Sequence, residues 1–137
     1  IGSNTSFTEG DYGEEVRLHQ GDLLFSWSGN PQTSIDVYKY QLDDGWLNQH
    51  IFKVTANETM VSKDFLFYLL KYLKPHFTQI ATNKQTTGLG HVTIADLKRM
   101  SVVVPEKIIQ DRIVAVVKTI DDKIEVNNEI NKNLYVA

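Results

Sequence analysis

The sequence predicts an α+β fold: a small mixed or antiparallel sheet with helices, followed by one long C-terminal coiled-coil helix. Three observations indicate it. Short apolar and aromatic segments lie between turn signals before residue 57, leucines recur at helical spacing after Ser62, and an Ile-rich heptad pattern follows Pro105. A block of strands that precedes the helices, without regular alternation, is typical of α+β proteins. We find no internal repeat.

Three strands are predicted in the first part of the chain. DLLFSW (22–27) is short, apolar and aromatic, and the turn signal SGNP (28–31) closes it. SIDVYKY (34–40) alternates apolar and polar residues. After the turn signal DDG (43–45), LNQHIFKVTA (47–56) is expected to be the returning strand.

A helix is predicted next. Ser62 is suited to cap it, and Asp64 is suited to the positive end of its dipole. Pro75 is expected to kink or end this helix, and FTQIA (77–81) has the composition to resume it. TNKQTTGLGH (82–91) has two glycines and no periodicity, so we predict a loop there.

The last third of the chain is predicted to hold a short helix, a strand and one long helix. Thr93-Ile-Ala-Asp96 has the form of a capping box, with Asp in place of Glu, and opens one or two turns that end near Met100. SVVV (101–104) is β-branched and predicts a strand. Pro105 suits the first turn of a helix from about 106 to 136, which would be roughly 45 Å long. A domain of this size cannot cover such a helix along its whole length, so its later turns need another partner.

Seven residues of the long helix alternate in steps of four and three, the spacing of a heptad seam. They are Ile113, Val117, Ile120, Ile124, Asn127, Asn131 and Leu134. One interpretation is that residues 127–133 are the solvated end of a core helix. The other is that the seam docks on a second helix and its asparagines fix the register. Leu134 restores the apolar phase after the asparagines, which favours the second interpretation.

Composition limits the classes of function. The chain has no cysteine, so disulfides and Cys-ligated metal sites are excluded, and a reducing compartment fits. The sequence contains no membrane-spanning run and no signal peptide, so we expect a cytoplasmic protein. Net charge is −3, but residues 45–100 carry 7 basic and 3 acidic side chains, net +4. Positive charge is therefore concentrated where a polyanion could bind.

Three segments, in this order, resemble the specificity subunit of type I restriction–modification systems. They are GDLLFSWSG (21–29), LNQHIFKV (47–54) and HVTIADLKRMSVVVPEKIIQDRIVAVVKTIDDKIEVNNEINKNL (91–134). The last segment is the most specific, because a Val/Ile run, Pro105, Gln110 and a long Ile-rich helix follow in the family's order. The resemblance covers about residues 20–135. It departs at Glu106 and Ile109, where the family often has a second proline and an acid.

The resemblance implies one target recognition domain, residues 1–104, that is N-terminally incomplete and begins with a loop at 1–15. Residues 105–137 would form the conserved spacer helix. The implied partners are double-stranded DNA, modification and restriction subunits, and a second recognition domain or second copy that pairs through antiparallel helices. The chain itself would read half of a bipartite target without catalysing a reaction. S-adenosylmethionine and ATP would bind the partner subunits, so no cofactor and no metal are expected here.

Side chains that suit DNA reading lie in two segments. Gln and Asn can bond adenine, Lys can bond guanine or phosphate, and Thr offers a hydroxyl or a methyl group. The first set comprises Lys84, Gln85, Thr86, Thr87, Gly88 and His91, with Lys71 and Lys74 upstream for phosphates. The second set is Ser28 and Asn30, which follow the first strand. Each set is also consistent with an ordinary polar turn.

Two other classes of function are an enzyme and a protein interaction module. Asn30-Pro31-Gln32-Thr33 is only faintly similar to the Asn-Pro-Pro-aromatic motif of adenine methyltransferases, and no glycine-rich loop after a strand offers a cofactor site. A protein interaction module that dimerises through its C-terminal helix without binding DNA is the second alternative. Salt distinguishes it, because binding to phosphates weakens steeply as salt rises.

Overall fold

A computed structural model describes residues 10–134 and confirms the predicted α+β class. A single 3₁₀ turn, Glu14–Val16, precedes the other elements. The strands are β1 (Arg17–Leu18), β2 (Leu23–Ser26), β3 (Ser28–Gly29), β4 (Asp36–Lys39), β5 (Gly45–Trp46), β6 (Ile51–Val54) and β7 (Gly90–His91). The helices are α1 (Lys63–Tyr72), α2 (Lys74–Asn83), α3 (Ile94–Arg99) and α4 (Lys107–Leu134). The predicted loop at 1–15 lies outside the described residues up to position 9.

The main sheet has three antiparallel strands in the order β4-β2-β6. Phe25 at its centre lies opposite Val37 on one side and Phe52 on the other. The three strands predicted in the first part of the chain are therefore confirmed. The prediction that 47–56 is the returning strand after the turn at 43–45 was wrong in its partner, since β6 pairs with β2 and not with β4. The strand β2 is the most apolar of the three and takes the central position, where both of its edges are paired. The turn signal at 43–45 leads instead into β5, which pairs with β1.

The core lies on one face of this sheet. Leu23, Phe25 and Val37 are fully buried, and Phe25 meets Phe77 of α2 edge-on at 5.0 Å between ring centroids. Burying one such side chain contributes about 1.5–3 kcal/mol. Contacts of this kind hold α2 on the sheet and thereby fix the loop that follows it.

The predicted helix start and break are both confirmed. The Ser62 hydroxyl accepts a hydrogen bond from the Phe65 N–H at 3.3 Å, which caps α1. The helix ends at Tyr72, and α2 begins at Lys74 with Pro75 in its first turn. Proline is tolerated there because the first-turn N–H groups have no partner within the helix.

The predicted capping box is confirmed as well. Thr93 accepts a hydrogen bond from the Asp96 N–H, and the Asp96 carboxylate accepts one from the Thr93 N–H. The predicted strand at 101–104, in contrast, was wrong, since this segment pairs with no described strand and Val103 is 95% exposed. Strand propensity in β-branched residues reflects packing against cross-strand neighbours. No sheet edge supplies such neighbours for these valines.

The described residues fall into two compact units. The first comprises residues 10–55 together with Leu69–Val102, and the second comprises Ala56–Tyr68 together with residues 103–134. The assignment of 1–104 and 105–137 as functional domains stays a prediction. No helix between residues 10 and 134 combines the length and apolar character that a membrane crossing requires.

Within the second unit, Gln110 of α4 is fully buried and its amide makes three hydrogen bonds. Its oxygen accepts from the Ser62 N–H at 2.9 Å, and its nitrogen donates to the carbonyls of Met60 and Pro105. Farther along α4, Asp121 accepts a hydrogen bond from Tyr68; burial and this bond raise the pKa of Tyr68 to about 12. One side of α4 is therefore fixed to residues 56–68.

Candidate nucleic-acid interface

Residues 84–91, here called the hairpin, form a tight turn that was only partly predicted. Thr86 and Leu89 exchange backbone hydrogen bonds at 3.0 and 3.1 Å. Between them Thr87 and Gly88 have φ values of 50° and 85°, the pattern of a type I′ turn. The predicted loop at 82–91 was wrong at its ends, since α2 continues to Asn83 and β7 occupies Gly90–His91. Packing of α2 on the sheet extends this helix to Asn83, and pairing with β3 orders Gly90–His91 as a strand.

The tip of the hairpin, residues 85–89, is exposed throughout. It presents the Gln85 amide and the hydroxyls of Thr86 and Thr87 to solvent. A positive φ at a β-branched residue such as Thr87 costs on the order of 1 kcal/mol and persists only where the surroundings impose it. Leu89 is 59% exposed and was not predicted, although an apolar residue between two glycines in a polar segment is a sequence signal for an exposed turn.

An ion pair anchors the entry of the hairpin. The Lys84 ammonium lies 2.6 and 2.5 Å from the two oxygens of the Asp96 carboxylate. That carboxylate is only 8% exposed, and it also accepts hydrogen bonds from the Thr93 N–H and hydroxyl. The Lys84 ammonium and these Thr93 donors hold the pKa of Asp96 well below its ordinary value. The Lys84 ammonium is therefore bound to a side chain of α3.

Close packing anchors the exit of the hairpin. Gly90 is buried, and a Cβ atom at this position would meet the Ala81 carbonyl oxygen of α2 at 2.2 Å. Only glycine allows the backbone of β7 to approach the helix so closely. The tip thus projects from two fixed ends.

The second predicted set of residues lies beside the first. Ser28 pairs with His91 in the short ladder between β3 and β7. Asn30 follows, and its side-chain oxygen accepts hydrogen bonds from the backbone N–H groups of Gln32 and Thr33 at 2.9 and 3.2 Å. The structure therefore brings Ser28 and His91 together, with Asn30 shaping the adjacent exposed turn.

The other two predicted lysines are also in ion pairs. Lys71 and Lys74 lie 2.9 and 2.7 Å from the two oxygens of Asp36. Lys71 is also 5.1 Å from the ring centroid of Tyr38. Burial raises the pKa of Asp36, but the hydrogen bonds from Lys74 and Lys71 outweigh it, so the net pKa lies below the ordinary value. Two ammonium groups on one carboxylate leave this cluster with one net positive charge.

Two cations on α3 were not predicted. Lys98 and Arg99 occupy its last turn, are exposed, and make no ion pair with any residue from 10 to 134. In the sequence they could have been recognised by their position directly after the capping box. The Asp96 side chain of that box pairs with Lys84 and so ties α3 to the hairpin. They are the free positive charges nearest in sequence to the anchored entry of the tip.

The exposed apolar face of α4 differs slightly from the predicted seam. Val117 is half-buried, whereas Val116, which was missed, is 64% exposed. Successive residues turn about 100° in a helix, so Val116 lies about 40° from Ile120 and shares its face. The apolar residues that this helix exposes are Ile108, Ile109, Ile113, Val116, Ile120, Ile124, Val126, Ile130 and Leu134. Asn127 and Asn131 are exposed as well.

Residues 10–134 contain no group of three or more His, Asp or Glu side chains placed to hold a metal ion. Two open surface grooves lie in the first unit. One of about 520 Å³ lies between α2 and α3 and includes His76 and Arg99, and one of about 460 Å³ includes Lys71 and Lys74.

Comparison with known proteins gives a consistent result. The family model for the type I restriction modification DNA specificity domain matches residues 2–135. The chain is also 27% identical over 119 residues to the type I restriction enzyme HindI specificity subunit of Haemophilus influenzae. That alignment covers 85% of this chain and 26% of the relative, so the chain spans about a quarter of that protein's length. No solved structure matches the chain.

Proposed function

This chain belongs to the family of type I restriction–modification DNA specificity domains, and we propose that it reads one half of a bipartite DNA target for such a complex. The observation that carries the proposal is the hairpin: an exposed polar tip held at both ends, by the Lys84–Asp96 ion pair and by Gly90 against Ala81. Binding residues commonly lie on loops that a rigid scaffold positions.

The chemistry of the tip suits base reading. The DNA major groove is about 12 Å wide and admits a two-stranded β ribbon. Gln85 can bond the N6 and N7 edge of adenine bidentately, and Thr86 and Thr87 can contact either an acceptor or a thymine methyl group. In this proposal Gln85, Thr87 and Leu89 meet bases.

Contacts to phosphates would position the domain without reading sequence. Lys71 and Lys74 supply one net positive charge and line one groove with Gln32, which lies in the exposed turn after Asn30. Lys98 and Arg99 supply two more on α3. Ser28 and His91, paired in one ladder, contribute polar groups at the base of the hairpin.

The helix α4 supports the remainder of the proposal. Its exposed apolar face would pair antiparallel with the helix of a second recognition domain or of a second copy, and so set the distance between half-sites. Modification and restriction subunits would supply methyl transfer and cleavage, together with S-adenosylmethionine and ATP. The chain itself would be a non-catalytic, cytoplasmic component.

The test is a genome-wide map of N6-methyladenine in the source cell, with and without this gene. We expect methylation at one split motif to disappear with the gene, because the specificity component selects the site. A Gln85→Ala/Thr87→Ala variant should alter only one half of that motif, while Gln79→Ala, an exposed residue of α2, should leave both halves unchanged. An unchanged map, with the modification subunit co-expressed, would contradict the proposal.

The exposed apolar face of α4 also supports a second candidate, an interaction module that dimerises without binding DNA. Salt separates the two. Binding to DNA phosphates weakens steeply between about 50 and 200 mM salt, whereas an apolar helix pair is not weakened in this way.

A further inference from the structure

We propose that Lys84 and Asp96 form a positioning pair that fixes the aim of the hairpin, and that Lys84 does not itself contact DNA. This inference rests on the proposed function and changes the role of a lysine that the sequence assigns to DNA contact. The geometry that points to it is an ammonium group held by both oxygens of a buried carboxylate.

Release of Lys84 toward DNA is unfavourable. The Asp96 carboxylate is 8% exposed and would keep only the Thr93 hydrogen bonds if the ammonium left. The Lys84 side chain is partly exposed, but the Asp96 carboxylate is not, so withdrawing the ammonium leaves a negative charge with little access to water and costs stability. A phosphate contact on the surface would have to offset that loss, and exposed ion pairs are worth about 0–1 kcal/mol.

The location of the pair explains why it would affect reading. Lys84 is the residue between the end of α2 and the tip, and its N–H still bonds the Ala81 carbonyl at 3.2 Å. Asp96 belongs to the capping box of α3. The pair therefore joins the entry of the tip to a second helix, while Gly90 holds the exit against Ala81.

A tip fixed in this way needs less ordering when it binds. Immobilising a flexible side chain at an interface costs about 0.5–1.5 kcal/mol. Loss of the pair should therefore weaken cognate binding through Gln85 and its neighbours, without removing any charge contact to the DNA backbone.

The two possible roles of Lys84 predict different effects of Asp96→Asn on DNA binding. If the pair positions the hairpin, Asp96→Asn and Lys84→Met both weaken cognate binding. If Lys84 contacts phosphate, Asp96→Asn frees the ammonium and removes a negative charge, so binding tightens or stays the same.

The experiment uses the assembled complex and two 30-bp duplexes, one with the motif that the methylation map gives and one with that motif scrambled. Dissociation constants are measured from 50 to 300 mM salt. We expect Lys84→Met and Asp96→Asn each to weaken motif binding about 10-fold, with the salt slope and scrambled binding unchanged. Lys84→Arg keeps the positive charge and should retain motif binding. Lys98→Met, at an exposed lysine on the same helix as Asp96, should lower the salt slope without changing the preference for the motif.

Three results would overturn the inference. One is a salt slope for Lys84→Met that falls by about 0.9, the loss of one phosphate contact. Another is unchanged or tighter binding by Asp96→Asn. The third is an equal loss on both duplexes, which a merely structural role would produce. Absence of any motif in the wild-type map would instead overturn the proposed function, so the two failures are distinguishable.

Discussion

The side-chain oxygen of Gln110 accepts a hydrogen bond from the backbone N–H of Ser62, 48 residues earlier in the chain, at 2.9 Å. The same amide donates to the carbonyls of Met60 and Pro105. One buried side chain thus joins the cap of α1 to the start of α4. Polar groups buried this completely are stabilising only while every hydrogen bond is made.

Replacement of Gln110 with Met should destabilise the protein by about 2–4 kcal/mol, since three backbone groups lose their partner at roughly 1–3 kcal/mol for a buried unsatisfied group. The measurement is urea unfolding followed by helical circular dichroism. Gln79→Met, on the exposed surface of α2, is the matched control and should stay within about 0.5 kcal/mol. Equal effects of the two changes would argue against the role of Gln110.

Gly90→Ala should be more destabilising than Gly88→Ala. At Gly90 the new Cβ would meet the Ala81 carbonyl at 2.2 Å, whereas at Gly88 the nearest atom is the Gln85 amide nitrogen at 4.0 Å. Gly88→Ala carries only the strain of its positive φ, about 1 kcal/mol. Thermal melting compares the two. A smaller effect at Gly90 would show that β7 does not pack on α2 this closely.

Acid should remove the contribution of Asp96 to stability. Its pKa is lowered in the folded protein, so the unfolded state binds the proton more readily. The stabilisation is therefore fully present above the unfolded pKa of about 3.9 and declines as pH falls below it. Asp96→Asn should flatten the unfolding free energy between about pH 4 and 2 relative to wild type, and identical slopes would contradict the assignment.

Charge placed at two neighbouring positions of α4 should have different effects. Val116 is exposed on the same face as Ile120, whereas Val117 is half-buried. We expect Val116→Asp to reduce association of the helix, measured by sedimentation, with little change in melting temperature. Val117→Asp should lower the melting temperature. If Val117→Asp instead reduced association and Val116→Asp lowered the melting temperature, the pairing face would be the heptad seam predicted from the sequence, which includes Val117.

Replacement of both Asn127 and Asn131 with Ile should strengthen helix pairing and loosen its orientation, because seam asparagines trade stability for register. Sedimentation measures the first effect, and cross-linking between cysteines introduced at the helix ends measures the second. Unchanged association and unchanged register would show that these asparagines are simply solvated.

Local signals predicted the elements well. The Ser62 cap, the break before Pro75 and the Thr93 capping box each depend on residues within a few positions, and all are observed. Pairing was harder, because β2 takes the centre of the sheet by burial on both sides, and burial depends on the whole fold. The valines at 101–104 show the same limit, since strand propensity needs a neighbouring edge.

The candidate site shows why composition alone misassigns lysines. Lys71, Lys74 and Lys84 all have the composition of phosphate contacts, yet each lies against a carboxylate distant in sequence, Asp36 or Asp96. No local sequence pattern predicts that Lys71 and Lys74 pair with Asp36, 35 and 38 residues earlier in the chain. The adjacency of Ser28 and His91 was likewise invisible before the ladder between β3 and β7 was known.

The distance in sequence between Ser62 and Gln110 has a consequence during synthesis. Translation proceeds at about 5–20 residues per second, so Ser62 would leave the ribosome roughly 2–10 s before Gln110 does. The strands β4, β2 and β6 all lie between residues 23 and 54 and can pair within that interval. Until Gln110 emerges, the Ser62 N–H bonds to water, so the buried hydrogen bond that joins the start of α1 to α4 forms only after residues 23–54 are free to pair.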